Sequence, residues 1–115
     1  MNDLELQEFV TLRERRPELY ALVLKLVTTA NAKGHDYSGT EDPNSNLRVS
    51  ELFGVPAWKG VLIRMMDKVS RITNFAQHNF LEVKDESFTD TLLDLSVYSL
   101  LCIVMFNERP DKAND

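Results

Sequence analysis

The sequence lacks most of the features that mark a specialised class of protein. Only one of its 115 residues is a cysteine, so no disulfide can form within the chain. Cys102 lies in an apolar stretch and is expected to be a small buried hydrophobic residue in a reducing cytosol. No internal repeat or low-complexity tract is present. These absences leave an ordinary globular domain as the expectation.

Basic charge and long apolar runs are absent as well. The net charge is -5, so there is no general basic field that would hold duplex nucleic acid or an anionic membrane. The longest apolar run, residues 97–106, is far shorter than the roughly 20 residues that a bilayer span needs. Residues 1–10 are acidic and lack the basic start and apolar core of a secretion signal. We therefore expect a cytoplasmic protein without a membrane segment.

Helical periodicity is what the sequence does contain, with no convincing alternation of period two. Pro17 suits the first turn of a helix, and Gly34 stands where a C-terminal cap is expected. Residues 47–54 are ambiguous and predict at most a short helix ending at Gly54. The predicted long helices cover residues 3–15, 17–33, about 57–76 and about 88–107.

This pattern predicts a single all-α domain over residues 1–115, built as a small bundle of three to five helices. Residues 1–16 form an N-terminal helix in this prediction, and residues 108–115 form a frayed tail. Residues 34–46 are rich in Gly, Asp, Asn, Ser and Pro and are expected to form a loop. A loop of this length in so small a domain is either a functional segment or a surface insert.

The last predicted helix is apolar on every side from Leu95 to Phe106. Such a helix is normally covered all round, which two other long helices can hardly achieve. We therefore expect the bundle to be completed by homo-oligomerisation, as a dimer or a higher oligomer, with this helix near the interface.

The middle helix carries Arg64, Asp67, Lys68 and Arg71 within about one third of its circumference. One interpretation is a solvated face on which Asp67 pairs with the two arginines. The other is a cradle for a polyanion, in which the cations bind phosphate oxygens. Both interpretations place these charges away from an apolar stripe of Trp58, Leu62, Met65, Val69, Ile72 and Ala76.

Three acids, Glu86, Asp90 and Asp94, stand four residues apart at the start of the last helix. Ser87 resembles an N-cap, and helix-start chemistry accounts for Glu86 and Asp90. It does not account for Asp94, which lies about two turns into an apolar segment and needs a partner. That partner is a basic side chain of the middle helix or a divalent cation, Mg²⁺ or Mn²⁺, shared with the other two acids. Spacing alone favours the ion pair.

Taken in order, three motifs resemble the nucleotide modification associated domain of phages and bacteria. They are "HDY" at 35–37, "RMMDKVSRI" at 64–72 and "ESFTDTLLDLSVY" at 86–98, so the resemblance spans residues 33–106. That family is distantly similar to the all-α MazG-like nucleoside triphosphate pyrophosphohydrolases. The resemblance implies a MazG-like fold and a Mg²⁺-dependent oligomer that binds nucleotides and cleaves them between the α- and β-phosphates.

The resemblance also implies roles for individual residues. It makes Glu86, Asp90 and Asp94 the metal ligands, and Asp67 and Lys68 the catalytic residues. The substrate-binding residues that it implies are Asp36, Tyr37, Arg64, Lys68, Arg71 and Tyr98.

This sequence departs from the MazG-like pattern, because its middle helix offers one acid where that pattern has two. Three functions therefore stay open at this point. They are a nucleoside triphosphate hydrolase, a nucleotide-binding or sequestering module without turnover, and a purely structural helical oligomer.

Overall fold

A computed structural model of the chain describes residues 1–38, 42–78 and 87–110, with only the backbone described over residues 33–38. All regular structure in these segments is helical, so the all-α class is confirmed. The elements are α1 (Asp3–Arg15), α2 (Pro17–Ser38), a 3₁₀ helix (Ser45–Phe53), α3 (Ala57–His78) and α4 (Phe88–Asn107).

The helix starts follow from local capping chemistry. The Asn2 side chain accepts a hydrogen bond from the Glu5 amide at 2.8 Å, and the Glu5 carboxylate accepts one from the Asn2 amide at 3.1 Å. The Ser87 hydroxyl accepts a hydrogen bond from the Asp90 amide at 3.0 Å at the start of α4. Helix α2 begins at Pro17. The predicted starts of these helices are therefore confirmed.

The predicted end of α2 is wrong. The helix continues through Gly34 to Ser38, so the loop predicted over 34–46 is helical at its beginning and joins the 3₁₀ helix at Ser45. Glycine in a helix interior costs roughly 1 kcal/mol relative to alanine, which weakens a long helix without ending it. The backbone of Asp36 and Tyr37 consequently belongs to the last turns of α2.

The 3₁₀ helix ends at Gly54, as predicted. Gly54 adopts the left-handed conformation with φ 76°, and its amide bonds back to the carbonyls of Ser50 and Glu51. Gly60 of α3 lies directly against this element, because a Cβ atom at that position would be 2.9 Å from the Ser50 Cβ atom. The 3₁₀ helix can therefore lie close enough to α3 to place Leu47 in the core.

The core lies between α3, α4 and the 3₁₀ helix. Val61 is fully enclosed, and Ala57, Leu47 and Met105 pack around it. The ring of Trp58 meets that of Phe106 edge-on at 5.3 Å between centroids. The partly buried side chains around this core are Trp58, Met65, Tyr98, Leu101 and Cys102.

The apolar stripe predicted on the middle helix is rotated relative to the observed buried face. Val61 is enclosed, whereas Leu62, Val69 and Ala76 of the predicted stripe are exposed. Ile63 is also exposed. Lys68 lies on the inner side of α3 and pairs with Asp94 of α4, while Trp58 and Met65 of the predicted stripe pack against the core.

The predicted frayed tail is wrong for its first residues. The Glu108 carboxylate accepts a hydrogen bond from Arg48 at 2.8 Å, which joins the end of α4 to the 3₁₀ helix. The Arg109 guanidinium is buried and stacks 3.4 Å from the centroid of the Phe106 ring. These two contacts hold the chain beyond α4 against the core. Residues 111–115 lie outside the described part.

Helix α4 is long and apolar enough to cross a membrane by length and composition alone, and it is the one such helix in the described segments. Within the chain, 17% of the apolar stretch that meets this criterion is buried, and the expectation of a chain without a membrane segment stays a prediction.

Candidate functional site

Lys68 and Asp94 form an ion pair between the facing surfaces of α3 and α4. The Lys68 Nζ atom lies 3.0 Å from the Asp94 Oδ2 atom, and the two side chains are only 15% and 18% exposed. Asp94 precedes the buried Val97 by three residues, and Lys68 follows Val61 by seven, so each lies on the buried side of its helix. Asp94 is thus paired with a basic side chain of the middle helix, one of the two partners expected from the sequence.

Asp90 lies one turn before Asp94 and meets a lysine of another helix. The Lys25 Nζ atom of α2 is 3.6 Å from the Asp90 Oδ1 atom, and both side chains are about half exposed. Two acids of α4 are therefore each neutralised by a lysine from a different neighbouring helix. We call Lys25, Lys68, Asp90 and Asp94 the lysine–carboxylate cluster.

Two arginines of α3 flank Lys68, one turn away on either side. Arg64 and Arg71 are both partly buried, like Lys68 itself. The Arg64 Nη2 atom donates a hydrogen bond to the Asn46 carbonyl at 3.3 Å, which ties it to the 3₁₀ helix. The three predicted phosphate-binding cations therefore share the inner side of α3. The sequence had predicted that they lie on a solvent-facing side, away from the apolar stripe.

Asp67 and Tyr98 occupy different surroundings. Asp67 is exposed on α3, unlike the three cations beside it. Tyr98 follows Asp94 by one turn and packs against the buried cluster around Val61 and Met105. Tyr98 thus packs against the core one turn from Asp94, whereas Asp67 faces solvent.

Three predicted site residues fall where the structure gives no side-chain description. Glu86 lies outside the described residues. The backbone of Asp36 and Tyr37 is in α2, while their side chains lie outside the described part. The cluster is consequently built from residues of α2, α3 and α4 alone.

The carboxylates can be tested for their fit to a metal. In the described segments, no three His, Cys, Asp or Glu side chains come together in a group that could hold a metal ion. Asp90 and Asp94 supply two carboxylates one turn apart. Mg²⁺ is commonly held by one or two carboxylates together with substrate phosphates and water. In the described segments both carboxylates face lysines, Asp90 facing Lys25 and Asp94 facing Lys68, and Mg²⁺ binding stays a prediction.

Lys25 is the cluster residue that sequence reasoning did not select. It stands alone among apolar residues in the segment "ALVLKLV" of α2. Its side chain is 58% exposed, so no need for a partner marks it in the sequence, and only the packing of α2 beside α4 shows its contact with Asp90.

A second charged group lies at the other end of the α3–α4 pair. Arg48 bonds to Asp42 at 3.0 Å as well as to Glu108. The hydrogen bond from the Asn44 amide, followed by that from Arg48, lowers the pKa of Asp42 from its usual value. The hydrogen bonds to Glu108 and Asp42 raise the pKa of Arg48. Arg48 thus joins Asp42, before the 3₁₀ helix, to Glu108, after α4. Arg48 and Glu108 also border a cavity of about 310 Å³ beside Trp58.

Family models, curated proteins and solved structures were all compared with this chain, and none of them matches it.

Proposed function

We propose that the chain binds a nucleoside triphosphate together with Mg²⁺ at the lysine–carboxylate cluster. The observation that carries this proposal is the enclosed Lys68–Asp94 pair in the middle of a helix–helix contact. Apolar residues of similar volume usually stabilise such a contact as well as or better than an ion pair does. We take the pair as the centre of the proposed site because its ammonium group suits a phosphate and its carboxylate suits a metal ion.

The charges around the cluster suit a polyphosphate. Lys25 and Lys68 contact the two carboxylates, and Arg64 and Arg71 lie one turn to either side of Lys68 on α3. Arginine forks and lysine ammonium groups are the usual phosphate-binding groups of proteins. Phosphate oxygens would compete with Asp90 and Asp94 for the two lysines and release these carboxylates. Mg²⁺, when bound with the nucleotide, would neutralise phosphate charge and polarise a phosphoryl oxygen.

Hydrolysis between the α- and β-phosphates is the second candidate function. The order of the motifs supports hydrolysis, because a basic motif on α3 is followed by an acidic motif on α4. This order is the basis of the resemblance to nucleotide-processing helical proteins. Binding without turnover requires only the groups named above. In the proposed enzyme, Lys68 would stabilise the charge that develops on the phosphates.

A thermal-shift screen of nucleoside mono-, di- and triphosphates, with and without Mg²⁺, tests the proposal. We expect triphosphates with Mg²⁺ to raise the Tm, since a ligand at 100 times its Kd stabilises by roughly 2.7 kcal/mol. Separation of the products then decides between the two functions. Monophosphate and pyrophosphate identify the hydrolase, and unchanged nucleotide identifies the binding module. The absence of any nucleotide-dependent shift would overturn the proposal.

Variants make this test specific. Asp94→Asn should abolish the Mg²⁺-dependent part of the shift while the helical circular dichroism persists. Arg71→Ala should weaken triphosphate binding more than monophosphate binding. The matched control is Lys59→Met, which removes an exposed cation of the same helix and should leave nucleotide binding intact. Equal losses in the control and in Lys68→Met would argue against a local site.

A further inference from the structure

The cavity beside Trp58 lies where α3 begins and α4 ends, away from the lysine–carboxylate cluster. Trp58 and Lys68 are ten residues apart on α3, which is about 15 Å along the helix axis. The volume of the cavity, about 310 Å³, is at the lower end of the roughly 300–1,000 Å³ of small-molecule sites. It therefore has the size for a small organic molecule.

Part of the cavity wall is apolar. Trp58, Met105 and Pro56 line it, and Met105 is only 3% exposed. The edge-on contact of the Trp58 ring with Phe106 holds this ring in place. A flat apolar molecule can pack against such a wall.

The start of α3 adds backbone amides to the lining. Ala57 and Trp58 are the first residues of this helix, and the first amides of an α-helix have no acceptor within it. Pro56 precedes them and has no side-chain acceptor for a cap, and the first turn contains no acidic residue. In the described segments, no acceptor is bonded to the amide of Ala57 or of Trp58. Since Ala57 is only 6% exposed, this end of the helix favours an anionic partner.

A buried cation from the other side of the cavity has the same preference. Arg109, just beyond α4, lines the cavity and is 8% exposed. Its guanidinium stacks on the Phe106 ring and donates a hydrogen bond to the Phe106 carbonyl. A guanidinium keeps its charge at any pH at which proteins fold, and its five N–H groups suit the two oxygens of a carboxylate. Two separate elements of the chain thus bring positive charge to one cavity.

The acids that line the cavity limit the charge of a ligand. Glu108 is paired with Arg48, which also pairs with Asp42. Glu51 lines the cavity and is exposed to solvent. A ligand with two negative charges would be repelled by these carboxylates more strongly than a ligand with one. The balance of charge therefore favours a monoanion.

We infer that this cavity binds a small organic monocarboxylate with a flat apolar body, such as an aromatic acid. The carboxylate of the ligand bonds to the Arg109 guanidinium and to the first amides of α3, and its body packs against Trp58 and Met105. The inference goes beyond the proposed nucleotide site and does not depend on it, because no residue of the lysine–carboxylate cluster lines the cavity.

Fluorescence titration of the full chain tests the inference, because Trp58 is its single tryptophan and lines the cavity. The probes are benzoate and benzamide, which is neutral and has nearly the same shape. Benzoate should change the fluorescence saturably and bind roughly 10-fold or more tightly than benzamide, since hydrogen bonds to charged groups are the stronger ones. Phenyl phosphate, a dianion, should bind more weakly than benzoate. The absence of a saturable response to benzoate, or binding of benzamide or phenyl phosphate as tight as that of benzoate, would overturn the inference.

Two variants test the position of the carboxylate. Arg109→Met removes the guanidinium and keeps an apolar side chain beside Phe106, so it should weaken benzoate binding roughly 10-fold and leave benzamide binding unchanged. Pro56→Asp places a carboxylate at the N-cap of α3, a position that aspartate favours, where it should occupy the first amides and weaken benzoate binding as well.

The matched control is Arg15→Met, which removes an exposed arginine of α1 and should leave the binding of both probes unchanged. Circular dichroism checks that the variants remain helical, and Pro56→Asp decides the test if Arg109→Met does not fold. Benzoate binding of wild-type strength in Pro56→Asp, or a loss in Arg15→Met equal to that in Arg109→Met, would refute the assignment.

Discussion

Lys68 and Asp94 meet where α3 and α4 face each other, with the ammonium nitrogen 3.0 Å from a carboxylate oxygen and less than one fifth of either side chain exposed. Helix faces that pack together ordinarily carry apolar residues at such positions. The two charges compensate each other, and neither helix could keep its residue there without the other. The pair therefore joins the facing sides of α3 and α4 beside the apolar core.

This relationship predicts strong energetic coupling. Asp94→Asn should lower the free energy of unfolding by about 2–3 kcal/mol, less than the 3–5 kcal/mol of a fully buried pair, because water still reaches this one. Lys68→Met should have a similar effect. The double variant Lys68→Met/Asp94→Asn should lose far less than the sum of the two single losses. Urea denaturation of the four proteins measures this, and additive losses would contradict the coupling.

The rotation of α3 predicts opposite outcomes at two adjacent residues. Val61→Ala should destabilise the chain by about 2 kcal/mol, because the side chain is fully enclosed and leaves a cavity. Leu62→Ala should cost less than about 1 kcal/mol, although it removes more atoms, since Leu62 is 39% exposed. Equilibrium unfolding in urea compares the two. A larger loss at Leu62 would mean that the stripe predicted from the sequence is the buried one.

The lowered pKa of Asp42 predicts a contribution to folding stability that is lost at acid pH. Its pKa is lowered in the folded chain, chiefly by the Asn44 amide, so its ionised form is favoured by folding. Stability from this group is fully present above its usual value of 3.8 and is lost as the pH falls through the lowered folded value. The Tm difference between the wild type and Asp42→Asn should therefore be largest near neutrality and shrink below about pH 4. A difference that stays constant from pH 7 to pH 2.5 would contradict this.

The partial burial of Cys102 predicts that its thiol reacts slowly. Burial raises its pKa above the usual value, and its sulfur atom lies 3.5 Å from the Trp58 carbonyl, to which it can donate. At pH 8 the thiol should react with a disulfide reagent much more slowly than free cysteine does, and at an ordinary rate once urea unfolds the chain. Stopped-flow absorbance follows both reactions. Fast labelling of the native chain would show that the end of α4 opens readily.

The helices themselves could be predicted from the sequence because their signals are local. Asn2 and Ser87 stand at helix starts, and Gly54 ends the 3₁₀ helix, each through bonds within a few residues. The end of α2 could not be predicted, since Gly34 is compatible with a cap as well as with a weakened helix interior.

Which side of each helix is buried depends on contacts between residues far apart in the chain. Lys68 and Asp94 are separated by 26 residues, and periodicity on α3 alone cannot show that a lysine turns inward to meet an acid. The same holds for the end of α4, where Glu108 finds Arg48 across 60 residues. The candidate site was therefore predictable as a list of charged residues, and Lys25 entered it only through the geometry.

The capping box at Asn2 has a consequence for how the chain opens. Helix α1 satisfies its own first turn and contributes no buried residue. A helix of 13 residues is marginal by itself in water. Its amide protons should therefore exchange with solvent through brief local fraying, whereas those of α3 and α4 exchange only when the whole core comes apart. We therefore expect fast hydrogen exchange in α1 and slow exchange in α3 and α4, which contain the buried residues Val61, Val97 and Met105.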